Sequence, residues 1–218
     1  MSTPITLNPS LRALPDYWEQ AKAELMKRDR IMRKIMPSFG DLHLSGRNDP
    51  FTTLARSIIG QQVTSKSADM VWARFREMSP KCTPTQVLKV ANKLAECGLS
   101  KRKAEYILDL AEAFRSKRVH ADEWVNMADE SVIAELVRIR GISRWTAEMF
   151  LIFNLCRPNI LPLDDAGLVK GISMNYFSGE PVSRSDVREV AANWAPWCTV
   201  ATWYLWRSLD ANQGVITK

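Results

Sequence analysis

The sequence predicts an all-α protein. Apolar residues recur at helical spacing in segment after segment, and most of these segments open on a capping residue. No stretch alternates convincingly with the period of a strand, and only Asp41-Leu42-His43-Leu44 reads as a short extended piece. Roughly nine or ten helices joined by short polar turns account for the chain.

The elements follow in order. Asn48-Asp49-Pro50 supplies a cap and a first-turn proline for a helix that carries Phe51, Leu54, Ala55, Ile58 and Ile59 on one face. Ser65 to Met78 continues with Ala68, Val71, Trp72 and Phe75 aligned. Thr83-Pro84-Thr85 opens a helix through Val87, Leu88, Val90 and Ala91, and Gly98 closes the short one after it. Ser100 caps a helix with the stripe Ala104, Ile107, Leu108, Ala111 and Phe114. A helix from about Asp129 to Arg140 carries Val132, Ile133, Leu136, Val137 and Ile139. Gly141-Ile142-Ser143 breaks it, and Trp145 to Leu155 resumes it. Asp186 to Trp194 and Thr199 to Leu209 supply the last two.

With 218 residues, 46% of them hydrophobic, the chain can bury a substantial core. No apolar run reaches the length of a membrane span, and Met1-Ser2-Thr3-Pro4 does not open like a secretory signal. Cys82, Cys97, Cys156 and Cys198 form no CxxC pair, which argues against a zinc site, a cysteine-ligated cluster and a disulfide framework. Reduced thiols and a cytosolic location are expected. His43 and His120 have no metal-ligand spacing, so no metal site is predicted. A net charge of +6 and a pI near 9.2 are a weak signal for a polyanionic partner, and need a motif beside them.

That motif lies at Leu136 to Ala147. A helix ends at Gly141, the single apolar Ile142 points inward, and a new helix begins at once. Such a turn offers backbone N–H groups at a helix N-terminus, where the dipole favours phosphate. An ordinary αα-turn with a glycine cap fits the same pattern. Arg138, Arg140 and Arg144 surround the turn with positive charge. Further on, Asp164 and Asp165 follow Pro162 and precede an apolar helix. Either could be its cap, and either could stabilise positive charge on a sugar ring. Eight tryptophans, four of them between Trp194 and Trp206, suit core packing. Ser100-Lys101-Arg102-Lys103 starts a helix with three cations, which is either solvated charge or a phosphate contact.

Taken together, Gly141-Ile142-Ser143-Arg144-Trp145-Thr146-Ala147-Glu148, Arg157-Pro158 and Leu161 to Leu168 resemble the helix-hairpin-helix and aspartate signature of the helix-hairpin-helix DNA glycosylase superfamily. Within it they are most similar to the bacterial 3-methyladenine DNA glycosylase II group, in a short form without the larger N-terminal β-domain. The likeness extends back to Phe51–Val63 and forward to Trp194-Ala195-Pro196-Trp197 and Trp206.

The resemblance implies two helical subdomains flanking an active-site cleft. An N-terminal arm, residues 1–49, would pack with a C-terminal subdomain, residues 158–218, whose start Pro158 and Pro162 mark. Residues 50–157 would hold the hairpin, about 129–155. By motif position Asp165 is the catalytic carboxylate and Asp164 caps or braces the turn. Trp145, Trp206 and Met149 line the base pocket, where an aromatic face attracts a cationic alkylated purine. Gln61-Gln62 sits at the wedge position, with Gln62 as the inserted residue; a local pair of helix-end glutamines is the alternative. Arg140, Gly141, Ser143, Arg144, Thr146, Arg102 and Lys103 contact the DNA backbone. The hairpin usually has glycine where this chain has Ser143, and a positive φ there would cost serine more.

Bifunctional relatives place a Schiff-base lysine at the position of Trp145, so this chain is expected to release a base without cutting the strand. With only Cys198 near the C-terminus, no iron–sulfur cluster is expected; hairpin carbonyls could ligate a monovalent cation. The expected enzyme is a monomer acting on damaged double-stranded DNA, leaving an abasic site. A glycosylase for ethenoadenine, hypoxanthine or mismatched bases, and a non-enzymatic DNA-binding protein, are the alternatives.

Overall fold

A computed structural model describes residues 14–46 and 49–212. Eleven α-helices and two 3-10 helices make up the regular structure among them. The α-helices are α1 (Trp18–Arg28), α2 (Arg30–Ile35), α3 (Pro50–Gly60), α4 (Ser65–Met78), α5 (Pro84–Lys89), α6 (Lys101–Arg115), α7 (Asp129–Leu136), α8 (Arg144–Phe153), α9 (Ala166–Tyr176), α10 (Arg184–Ala191) and α11 (Cys198–Asn212). The 3-10 helices are Met36–Phe39 and Ala91–Cys97. The fold is all-helical as predicted. No strand occurs among the described residues, and Asp41–Leu44 is irregular, having no neighbouring strand to pair with.

Side-chain caps set most helix starts. Asp49, Thr64, Thr83, Ser100 and Ser183 each accept from the backbone N–H two or three positions into the helix they precede. Asn48 and Met1–Pro4 lie outside the described residues. Asp186 does not begin α10 but closes a capping box with Ser183, and so sits in its first turn. The helix expected through Arg140 ends at Leu136: Ile139 N–H reaches Leu136 O at 3.1 Å, a tighter turn, and Arg140 N–H leaves the ladder for the Asp109 carboxylate at 2.8 Å.

The chain forms two compact units, with the division inside α8 between Phe150 and Leu151. The described part of the first unit is residues 49–150. Its core is a run of edge-on aromatic pairs: Phe51 on Phe114 (5.4 Å, 75°), Phe114 on Trp124 (5.8 Å, 89°) and Trp124 on Phe150 (5.2 Å, 78°). Leu54, Ile58, Phe75, Leu110 and Val132 are also buried in this unit.

The second unit joins residues 14–46 to 151–212. Trp18, Trp203 and Tyr204 pack at its centre, with ring centroids 4.9 to 5.9 Å apart. Buried Asp29 ties the two segments together. Its Oδ1 accepts from Ile31 and Met32 N–H at the start of α2, and its Oδ2 from Tyr176 Oη (2.7 Å) and Trp194 Nε1 (3.0 Å). Four donors satisfy a carboxylate that would be costly to bury unpaired.

Candidate active site and candidate nucleic-acid interface

In the second unit, Asp165 is the N-cap of α9: Oδ1 accepts from Leu168 N–H at 2.7 Å. The same oxygen accepts from Trp206 Nε1 at 2.8 Å. Asp165 is 8% exposed, and these charge-assisted bonds help a carboxylate to sit there. Trp206 itself stacks on Phe153, with ring centroids 5.7 Å apart and planes inclined by 17°. Gly167 keeps this arrangement open, since a Cβ there would come within 3.0 Å of Asp165 Oδ1 and of the Trp206 ring.

The cap is thus Asp165, not Asp164. Asp164 is exposed and pairs with Arg184 at 2.9 Å, so it braces the start of α10. Phe153 and Gly167 are additions that sequence reasoning misses. A glycine inside the first turn of a helix is the available signal, because it costs stability unless something approaches closely.

In the first unit, Gly141 has φ +87°, and an added Cβ would lie 2.2 Å from the Tyr106 ring. Both facts require glycine. The N–H groups of Gly141 and Ser143 have no hydrogen-bond partner among the described residues, whereas those of Arg140 and Ile142 are held by Asp109 and Ile139. Ser143 does not take a positive φ, so the anticipated cost of serine does not arise. Its Oγ accepts from Thr146 N–H at 3.2 Å and caps α8. Thr146 is buried against this cap, its hydroxyl 3.1 Å from Ser143 Oγ, and offers neither group to a phosphate.

The basic side chains are more engaged than their sequence positions suggest. Arg140 reaches Glu105 at 3.1 Å. Arg144 forks onto Glu130 and bonds Glu148 at 3.0 Å, and the Glu130 hydrogen bonds push its guanidinium further up. Lys103 donates to the Ile59 carbonyl at 2.7 Å; desolvation, then Arg102, holds its ammonium below the ordinary lysine range. Arg102 is exposed, with no ion-pair partner among the described residues.

At the end of α3, Gln61 Nε2 donates to Gly141 O at 2.8 Å. Gln62, next in the chain, is exposed with φ +54°. The two glutamines therefore differ: one is tied down, the other projects. Trp145 and Met149 lie one turn apart on α8, each half-buried.

A helix-hairpin-helix turn with open amides and a capped, nearly buried aspartate are both in place, and the chain belongs to the HhH-GPD superfamily of base excision DNA repair proteins, whose family model matches residues 55–196. A DNA-3-methyladenine glycosylase of Schizosaccharomyces pombe is 31% identical over 167 residues, covering 74% of this chain and 73% of its own. The crystal structure of a DNA-3-methyladenine glycosidase from Bacillus halodurans matches with a TM-score of 0.82 and 31% identity, over 89% of this chain and 91% of that one. A 3-methyladenine DNA glycosylase of Schizosaccharomyces pombe, solved in complex with abasic DNA, matches with a TM-score of 0.78 and 28% identity, over 91% and 100%.

Proposed function

We propose that this chain is a monofunctional DNA glycosylase of base excision repair that releases 3-methyladenine, 7-methylguanine and similar alkylated purines from duplex DNA. The observation that carries the chemistry is the Asp165 carboxylate, capped by Leu168 N–H and held by the Trp206 indole. As the glycosidic bond breaks, the base leaves with the bonding electrons and positive charge develops on the sugar. A preorganised carboxylate stabilises that charge, and water then adds to C1′ and gives up a proton to solvent, leaving an abasic site. No cofactor enters this scheme.

Alkylation at N3 or N7 makes the purine cationic and weakens the bond, so a tryptophan face attracts the base that is also the readiest to leave. Trp206 in the second unit supplies such a face, and in the first unit Trp145, with Met149 one turn along α8, supplies another. The extracted base leaves a gap in the duplex, which exposed Gln62 fills. The Gly141 and Ser143 amides and Arg102 hold the DNA backbone. Arg140 and Arg144 contribute charge while remaining paired with Glu105, Glu130 and Glu148. Trp145 cannot form an imine, so the strand is left intact.

The test is side-by-side release of free base from duplexes carrying 3-methyladenine, 7-methylguanine, ethenoadenine, hypoxanthine or uracil, with and without EDTA. Preferred release of the methylated purines, insensitive to EDTA and cutting the strand only after alkali, is expected. Binding without release from any substrate would sink the enzyme reading.

A further inference from the structure

We propose that Gln61 and Lys103 are positioning residues that lock the turn carrying Gln62 to the helix-hairpin-helix, so that the phosphate grip and the inserted side chain are set in one register. This rests on the reading that Gln62 enters the duplex.

Gln62 has a left-handed backbone, φ +54°, which a residue other than glycine or asparagine rarely adopts unless its surroundings impose it. Two hydrogen bonds hold the residues just before it. Ile59 O is one of the last carbonyls of α3, which a helix leaves without an internal partner. Lys103 Nζ takes it at 2.7 Å, bringing a cation to the negative end of the helix. That contact withdraws an ammonium from water, which is unfavourable unless the contact matters. Gln61 Nε2 then reaches across to Gly141 O at 2.8 Å.

The acceptor is itself fixed. Gly141 is wedged against the Tyr106 ring, and the Arg140 N–H before it is pinned by Asp109. Lys103, Tyr106 and Asp109 all belong to α6. One helix therefore anchors both the turn before Gln62 and the hairpin whose Gly141 and Ser143 amides are open. A phosphate captured at those amides fixes where Gln62 stands, with no separate ordering step. Losing either tether should impair extrusion of the base, and losing the Gln61 tether should spare attachment to the backbone.

The experiment uses the full chain with Gln61→Met, which keeps the shape and loses the donor, and Lys103→Met. Single-turnover base release from a lesion in a paired duplex should fall about tenfold, the scale of one net hydrogen bond. The Tm should stay near wild type in both, and Gln61→Met should keep the wild-type affinity for undamaged duplex. The deficit should close when the lesion faces an abasic site, where no pairing has to be broken. Equal losses on both duplexes, or a lowered Tm with parallel loss of affinity, would mark a structural role and overturn the proposal. Failure of the underlying reading looks different: Gln62→Ala would then match wild type on the paired duplex, and the proposal falls with it.

Discussion

Trp206 donates its indole N–H to Asp165 Oδ1 at 2.8 Å, the same oxygen that caps α9. The candidate catalytic carboxylate is thereby held by two donors, one from its own helix and one from α11, before any substrate arrives. Preorganisation of this kind requires little rearrangement during the reaction.

Asp165→Asn tests the role of the charge. Asparagine is an N-cap as good as aspartate, so the fold and the affinity for DNA should persist. Base release should fall by about 100-fold or more. Single-turnover release beside a thermal melt reads both, and full excision by the variant would refute the assignment.

Trp206→Phe separates the indole's two contacts. Phenylalanine keeps the stack on Phe153 and loses the N–H, so release should slow by about tenfold with little change in DNA affinity. Trp206→Ala loses the stack as well and should cost more, in rate and in Tm. Identical rates for wild type and Trp206→Phe would remove the hydrogen bond from the mechanism.

Two glycines give an internal contrast in stability. Gly40 has φ +52° with ψ −126° and open space where a Cβ would stand, so Gly40→Ala should cost only the backbone strain of a conformation that suits glycine, about 1–3 kcal/mol. Gly141→Ala adds a clash with Tyr106 and should cost several kcal/mol, about 3 or more. Urea denaturation measures the difference, and equal effects would deny the close approach.

His120 should make stability depend on pH. Its Nδ1 lies 2.7 Å from Glu135 Oε1, and that hydrogen bond, then the charge, raises its pKa above the ordinary histidine value. A raised folded-state value means the contribution is fully present below about pH 6.5 and is lost as the pH climbs through the higher folded value. Glu135 also accepts from Trp124 Nε1 at 2.8 Å, so the pair leans on the core. Melting curves of wild type and His120→Gln should converge as the pH rises from about 6 to about 8; a constant gap would exclude the linkage.

The sequence by itself determined the helices and the order of the motifs. Helical period and capping are short-range properties, so Asp49, Thr83 and Ser100 announce the starts of α3, α5 and α6 from within four residues. Gly141 was legible because a left-handed turn selects glycine almost regardless of context. The tertiary structure decided what the charged and polar groups do. Arg140 is answered by Glu105 and Asp109 from α6, Arg144 by Glu130 from α7, and Lys103 by a carbonyl of α3. Those partners lie 14 to 44 positions away, beyond any local pattern. The same holds for Asp165: capping and proximity to a sugar favour the same residue type, so local chemistry could not separate them. The cap and the candidate catalytic group proved to be one residue, because folding brings Trp206, 41 positions later, onto the oxygen that starts α9.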